Sequence, residues 1–243
     1  MKYKLIISYD GTKYSGWQVQ PNALSIQALI QNGLKTLLHI PTPLISSGRT
    51  DAGVHAYGQV AHFLTNKNLN PSRFLRSLND ILPLDIRIRE IAPVPDSFHA
   101  RFSAKAKIYF YRMHLVSIHN PLYSLYSTHI HTPIDLTLMK KALSSFVGTH
   151  DFSSFAGAGC GSKNPYKTLY RLEMISEAEG IRLEFEGDGF LYKMVRNIVG
   201  TVLEIAKKKL SIHAIPHIFA QKNRCLAGPT APSKGLFLYK VFY

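Results

Sequence analysis

The feature that most constrains this chain is an order of hydrophobic periods, β-α-β-β-α-β, that runs twice. In the first run, Tyr3, Leu5 and Ile7 alternate with Lys4, Ile6 and Ser8 until the turn-forming pair Asp10-Gly11, the pattern of a half-buried strand. Ser25 then stands as an N-cap before Ile26, Leu29, Ile30, Leu34, Leu37 and Leu38, a helical stripe that stops before Pro41. Strand-like runs at 44–47 and 59–63 follow. Asn70-Pro71 opens a second helix carrying Phe74, Leu75, Leu78 and Ile81, and 85–91 reads as a strand. The second run reads strand 105–115, helix 136–147, strands 169–176 and 181–186, a long helix from Leu191 to Lys207, and a last strand at 236–243. Each run is a split β-α-β unit whose strands need helices on one face. The chain is therefore expected to be α+β, built of two consecutive ferredoxin-like halves. Pro93 and Pro95 break both periods and put the boundary between residues 1–97 and 98–243. The segment 211–221, interrupted by Pro216, belongs to neither run.

Between the strand runs at 44–47 and 59–63 lies Gly48-Arg49-Thr50-Asp51-Ala52-Gly53-Val54-His55. One carboxylate sits between two glycines, which open backbone conformations closed to other residues and let a ligand approach closely. Loops at the ends of a sheet present side chains on a rigid frame. The same residues also fit an ordinary turn, because Asp between glycines bonds its own backbone.

Composition narrows the partners. With 243 residues and 46% hydrophobic content the chain can bury one large core or two small ones. Its 29 Lys and Arg against 15 acids, a net charge of +14, suit a polyanion. Residues 1–100 hold 10 bases and 6 acids, and residues 101–243 hold 19 and 9, so the second half should supply much of the footprint. Cys160 and Cys225 form neither a disulfide framework nor a zinc pattern, as expected of a reducing cytoplasm. The run Leu5-Ile6-Ile7 is too short for a signal-peptide core, and nothing approaches the roughly 20 apolar residues of a membrane span. A soluble, cytoplasmic protein with no membrane partner is the expectation.

The octet has company. Tyr9-Asp10-Gly11-Thr12-Lys13-Tyr14-Ser15-Gly16-Trp17-Gln18, Phe98-His99-Ala100-Arg101-Phe102-Ser103-Ala104, Phe190-Leu191-Tyr192-Lys193-Met194-Val195-Arg196-Asn197-Ile198-Val199-Gly200 and Ala231-Pro232-Ser233-Lys234-Gly235-Leu236 follow the same order as in a known group. With these five blocks the sequence resembles the tRNA pseudouridine synthase A family over nearly its full length. The resemblance implies two halves joined edge to edge in one largely antiparallel sheet, helices on one face, and an active-site cleft between the halves into which the Asp51 loop looks. It implies an isomerase that converts uridine to pseudouridine in the anticodon stem-loop of tRNA, acting as a homodimer. It also makes Asp51 the catalytic residue and Tyr109 the substrate-contacting tyrosine, and sets Arg196 in the same active site.

Chemistry adds its own demands. Breaking the bond from the sugar to N1 of uracil and rejoining the base through C5 supplies no group and changes no redox state. No ATP, metal or organic cofactor is called for. Gly157-Ala158-Gly159-Cys160-Gly161-Ser162-Lys163 fails both the P-loop and the dinucleotide spacing and reads as a flexible loop. A carboxylate that stays ionised in a dry site needs a nearby cation, for which Arg49 and Arg196 are the candidates. Asp51 would attack the sugar carbon, add to the uracil ring, or remove a sugar proton to give a glycal. Each route uses the ionised carboxylate.

A uridine inside a stem must be flipped out, at a cost on the order of a few kcal/mol, and held against an aromatic face. Tyr109 is the choice, in a run where alternation puts Tyr109, Tyr111 and Met113 on one face and Ile108, Phe110 and Arg112 on the other. Arg196 lies in a helix apolar over most of its circumference, so its charge requires an anion, and a pair with Asp51 is expected. Arg49, on the loop itself, would then enter the stem. His55 is expected to make a structural hydrogen bond, and His129, His131 and His150-Asp151 match no metal spacing. Lys13, Tyr14 and Trp17 serve either RNA contact or the core. Arg101 and Lys105 to Lys107 line an RNA groove or are solvated edge charges. The main rival is a non-catalytic RNA-binding protein of paired α+β modules; a hydrolase would need a second acid or a metal.

Overall fold

The computed structural model describes every residue, Met1–Tyr243. The chain runs β1 (Lys2–Tyr9), α1 (Ile26–Leu38), β2 (Ile45–Ser46), β3 (His55–Leu64), α2 (Pro71–Ile81) and β4 (Ile86–Val94). It continues through β5 (Ala106–His114), β6 (Thr128–His129), α3 (Leu136–Ser144), β7 (Gly148–Asp151), β8 (Tyr166–Glu177), β9 (Gly180–Gly187), α4 (Met194–Ala206), α5 (Ala214–Gln221) and β10 (Leu236–Phe242). The α+β class and the doubled strand-helix order are as the periodicities predict. Two compact units result, Met1–Lys105 together with Phe237–Tyr243, and Ala106–Leu236. No helix is long and apolar enough to cross a membrane.

In the first unit β1 lies between β4 and β3, antiparallel to both, with Leu5 opposite Ile91 on one side and Ala61 on the other. The far edge of β3 is shared. Its start pairs in parallel with β10, Phe237 opposite His55, and its far part pairs with the two residues of β2, Ile45 opposite His62. The period-two pattern of 236–243 identifies a strand but not its partner, and residues 237–243, expected with the second half, return to the first unit. Their side chains supply the reason: the Phe237 ring stacks on His55 at 4.6 Å and on Tyr57 at 5.6 Å. Strand β4 also runs on to Val94, through Pro93. β4 is the outer strand of this unit's sheet, where a missing amide is tolerated.

Caps delimit the helices of this unit. The Ser25 hydroxyl accepts from the Ala28 amide at the start of α1, and His39 closes it with a left-handed φ of 63° and an amide donated to Lys35 O. Asn70 accepts from the Arg73 amide ahead of Pro71 at the start of α2. Ile26, Ile30, Leu34 and Leu38 are buried on the inner face of α1. At Gly33 a Cβ would lie 2.9 Å from Leu78 Cδ1, so the glycine sets the close approach to α2. Phe63 joins the sheet to this layer by stacking on Tyr3 at 5.8 Å and on Phe74 at 6.3 Å.

The second unit orders its strands β5-β9-β8-β7, antiparallel throughout, with two-residue β6 parallel to the end of β5. β6 and β7 are too short to show a period, which is why the sequence conceals them. Tyr111 and Met113 lie opposite Leu183 and Ile181 and are fully buried on the helix side. On the other side Phe110 is buried beneath arginines: the guanidinium carbons of Arg112 and Arg182 lie 5.5 and 5.3 Å from its ring centre. Arg112 bonds Glu177 with two nitrogens at 2.8 and 3.2 Å, Arg182 pairs with Glu184 at 2.9 Å, and Arg171 with Glu173 at 2.7 Å. Much of the local positive charge is thus matched on the protein itself.

Helix α4 begins at Met194, three residues later than its apolar pattern, after Lys193 takes a left-handed φ of 59°. It is buried nearly all round, including Asn197 and Thr201. Buried polar groups need partners, and these two have them. Asn197 Nδ2 donates to Phe155 O at 2.7 Å, and its Oδ1 accepts from Thr230 Oγ1 at 2.7 Å and Arg224 Nη2 at 3.0 Å. Thr201 Oγ1 donates to Asn197 O and accepts from the Gly228 amide. The segment 224–231 is therefore laid directly on α4. A Cβ at Gly200 would collide with the carbonyl oxygen of Pro229. Residues 211–221 contain α5, in which Pro216 sits in the first turn, where its missing amide would have had no partner within the helix. Gly200→Ala is predicted to destabilise the fold by roughly 2–4 kcal/mol, because the obstructing atom is backbone. A wild-type midpoint in urea unfolding would contradict this packing.

Candidate active site

The octet 48–55 bridges β2 and β3, and its conformation is imposed from beneath. Tyr9, the last residue of β1, points inward by the strand alternation, and its hydroxyl shares a buried 2.8 Å hydrogen bond with Thr50 Oγ1. The Thr50 carbonyl accepts from the Trp17 amide at 3.0 Å. Burial, only partly offset by the hydrogen bonds to Thr50 and Gln59, pushes the Tyr9 phenol well above its ordinary range, so it stays protonated. Gln59 is fully buried: its Oε1 accepts from Ser47 Oγ at 2.7 Å and from the Val60 amide at 3.1 Å, and its Nε2 donates to Gly48 O at 2.9 Å. Residues 47, 48 and 50 are thus tied to the frame immediately before Asp51.

The residues after Asp51 are tied as well. The Val54 amide donates to the Asp51 carbonyl at 3.1 Å, closing a turn in which Gly53 has φ 74°, and the Gly53 amide donates to Tyr14 O at 3.3 Å. Gly16, at φ 93°, would bring a Cβ to 2.6 Å from the Thr50 carbonyl, and at Gly11 a Cβ would strike Val54 O. These two glycines let the 9–18 segment pass beneath the loop. Tyr14 and Trp17 are both buried there, with Trp17 inclined on Tyr9 at 5.9 Å, so the core reading of this pair holds. His55, buried and stacked on Phe237, accepts the Gly11 amide at Nδ1 at 3.1 Å. The same nitrogen lies 3.1 Å from Asp10 Oδ1; without a proton on Nδ1 it accepts from Gly11, and with one there, in the neutral tautomer or the cation, it donates to Asp10. His55 thus makes a structural hydrogen bond to the segment beneath the loop.

Asp51 itself is half-buried at the crest, next to exposed Arg49 and Ala52. Chemically, the loop presents one carboxylate from a backbone with little freedom, beside a guanidinium that reaches into solvent. Such presentation favours attack or proton abstraction at a fixed point.

Tyr109 and Arg196 both belong to the second unit. Tyr109 lies opposite Phe185 and meets the Phe190 ring edge to face at 5.0 Å. Tyr111, two residues on, is wholly committed to the core. Its hydroxyl shares a 2.6 Å hydrogen bond with Thr128 Oγ1 and donates to Pro232 O at 2.9 Å, and Gly235 leaves just enough room for its ring. Burial pushes its phenol pKa up, opposed by the hydrogen bond to Thr128 and by the positive charge of Arg196.

Arg196 stands in the first turn of α4, half-buried. Its Nε donates to Ala231 O at 2.7 Å, and the Ala231 amide donates back to Arg196 O at 3.1 Å. One edge of the planar guanidinium is thereby anchored and the rest is aimed as a rigid fork. No acidic residue lies in that first turn, so the helix dipole and the guanidinium add to one positive spot suited to an anion. Tyr9, Thr50 and Gln59 escape a reading of the sequence, since only the fold brings position 9 to position 50.

A family model described as tRNA pseudouridine synthase matches residues 5–103 and 142–243. The chain is 54% identical, over 99% of its length and 96% of the relative's, to a protein of Protochlamydia amoebophila named tRNA pseudouridine synthase A 1. It is 45% identical to the tRNA pseudouridine synthase A of Geotalea uraniireducens, covering 99% and 98%, and 43% identical to that of Chlamydia pneumoniae, covering 100% and 92%. Both the clamped 48–55 loop and the segment that carries Arg196 fall inside the matched regions. The chain belongs to the tRNA pseudouridine synthase family.

Proposed function

We propose that this chain isomerises uridine to pseudouridine in the anticodon stem-loop of tRNA, with Asp51 as the catalytic carboxylate. The observation that carries the reading is the clamp on both sides of Asp51, which holds one acid at a fixed point in a chain of this family. The net charge of +14 suits a polyanionic substrate. Arg49, exposed beside the nucleophile, enters the stem and helps to displace the uridine. Tyr109 supports the flipped base, which Tyr111 cannot do because both its ring and its hydroxyl are occupied by the core. Arg196, aimed by Ala231, pairs with Asp51 during the reaction and keeps the carboxylate ionised and oriented. The enzyme acts as a homodimer in the cytoplasm, as the resemblance implies, and its chemistry calls for no cofactor.

Incubation with an unmodified tRNA transcript, followed by chemical mapping of pseudouridine, tests the activity. The wild-type chain is predicted to modify uridines of the anticodon stem-loop. Asp51→Ala and Asp51→Asn are predicted to fall by roughly a thousandfold or more while tRNA binding is kept. RNA binding without product from the wild type would identify a binding module; product at near-normal rates from either variant would remove Asp51 from the chemistry. For Tyr109, replacement by Phe should retain substrate binding and replacement by Leu should lose activity. If the hydroxyl assists proton removal at C5, the Phe variant binds normally and turns over slowly. Equal, wild-type rates for both variants would return Tyr109 to the core.

A further inference from the structure

The loop between β4 and β5 holds an exposed aromatic ring with unusual firmness. Phe102 is 76% exposed, yet its ring lies on that of His99 at 4.3 Å and 30°. His99 in turn meets buried His62 edge to face at 5.0 Å. Five successive amides are engaged locally. His99 N donates to Ser103 Oγ, Ala100 N to His62 Nδ1, Arg101 N and Phe102 N to His99 Nδ1, and Ser103 N to His99 O. The Tyr243 hydroxyl donates to Ala100 O at 2.7 Å, and the Lys2 ammonium donates to the carbonyls of Asp96 and Phe98. Burial, reinforced by the neighbouring His99 imidazole and the Lys2 ammonium, holds the His62 pKa down at about 4, so it remains the neutral acceptor that Ala100 needs.

A rigid, solvent-facing phenylalanine stabilises nothing by being exposed, so its placement points outward to a ligand. The charges around it select the kind. The Arg101 guanidinium lies 5.7 Å from the Phe102 ring centre, Arg101 and Lys105 are exposed, and Asp96 is the acid on the same loop. One ring covers far less than the roughly 800 Å² per partner of a stable protein interface. RNA brings both phosphates for the cations and flat bases for the ring.

We propose that Phe102 and Arg101 form a stacking platform for an unpaired base of the RNA substrate, separate from the Asp51 loop; this rests on the reading of the substrate as tRNA. The two places differ by about 20 Å along β3, since Ala100 is fixed to His62, seven residues beyond His55, at about 3.3 Å per residue. The platform therefore grips a part of the RNA other than the flipped uridine. It sets affinity and leaves the chemical step alone.

The test measures the Kd of an unmodified tRNA transcript by filter binding, together with KM and kcat, for Phe102→Ala, Phe102→Trp and Arg101→Gln. Phe102→Ala is expected to weaken Kd and raise KM by roughly tenfold with kcat within twofold, Phe102→Trp to restore both, and Arg101→Gln to weaken binding about threefold. An exposed ring can be removed without unfolding the chain, and an unchanged thermal midpoint confirms that. Wild-type Kd for Phe102→Ala overturns the platform, as does a changed sedimentation coefficient with unchanged Kd, which would assign the ring to a contact between copies. Because Kd is read without turnover, a chain that binds tRNA but makes no pseudouridine would defeat the proposed activity while leaving this measurement decisive.

Discussion

Everything proposed for Asp51 depends on one buried hydroxyl pair, Tyr9 with Thr50. It joins the end of the first strand to the residue preceding the carboxylate, 41 positions later in the chain. A surface loop centred on Gly48 and Gly53 would ordinarily sample many backbone states. Here the side chains of Tyr9 and Gln59 and the main chain of Tyr14 and Trp17 hold it from several sides. The glycines at 11 and 16 make that possible because any side chain there would push the supporting segment away from the loop. Burial keeps the Tyr9 phenol protonated, so the pair survives across the range in which an RNA-modifying enzyme works.

The second unit solves a matching problem with the opposite charge. Arg196 must be carried on a helix that is apolar nearly all round, and a long flexible cation there would find many orientations. The Ala231 carbonyl removes most of them by taking Nε. Ala231 is itself fixed because 224–231 lies against α4 through Asn197, Thr201 and the bare surface of Gly200. A fully buried Asn and Thr in a helix core would each be costly if unpartnered. Their bonds instead make the placement of the guanidinium a property of the core.

The elements were legible in the sequence wherever a period could build up. Caps at Ser25 and Asn70 and the alternation of 2–9 place their elements to within a residue or two. Four-residue β7 and two-residue β6 offer no period to read. The partner of β10 was hidden for a different reason: a parallel pairing with β3 is decided by Phe237 meeting His55 and Tyr57, a contact between residues some 180 positions apart. Asp51 and Tyr109 are both assigned through the family resemblance, since an acid between glycines fits an ordinary turn and an aromatic in a strand fits the core. Of the two tyrosines that alternation treats alike, Tyr111 has its hydroxyl spent on Thr128 and Pro232. Tyr14 and Trp17, equally able on paper to meet RNA or fill the core, are under the loop because Gly16 lets the chain turn there.

The most direct measurement is kcat for Thr50→Val, which keeps the shape of the side chain and deletes the hydroxyl that meets Tyr9. If the clamp is what aims the carboxylate, a displacement of the loop on the order of 1 Å should lower kcat by roughly 10- to 100-fold. KM should stay within about twofold, and folding stability should fall by only about 0.5–1.5 kcal/mol for the lost Tyr9–Thr50 hydrogen bond, since Tyr9 keeps Gln59 as a partner. A Thr50→Val enzyme that turns over unmodified tRNA at the wild-type rate would show that Asp51 needs no such support and would contradict the account.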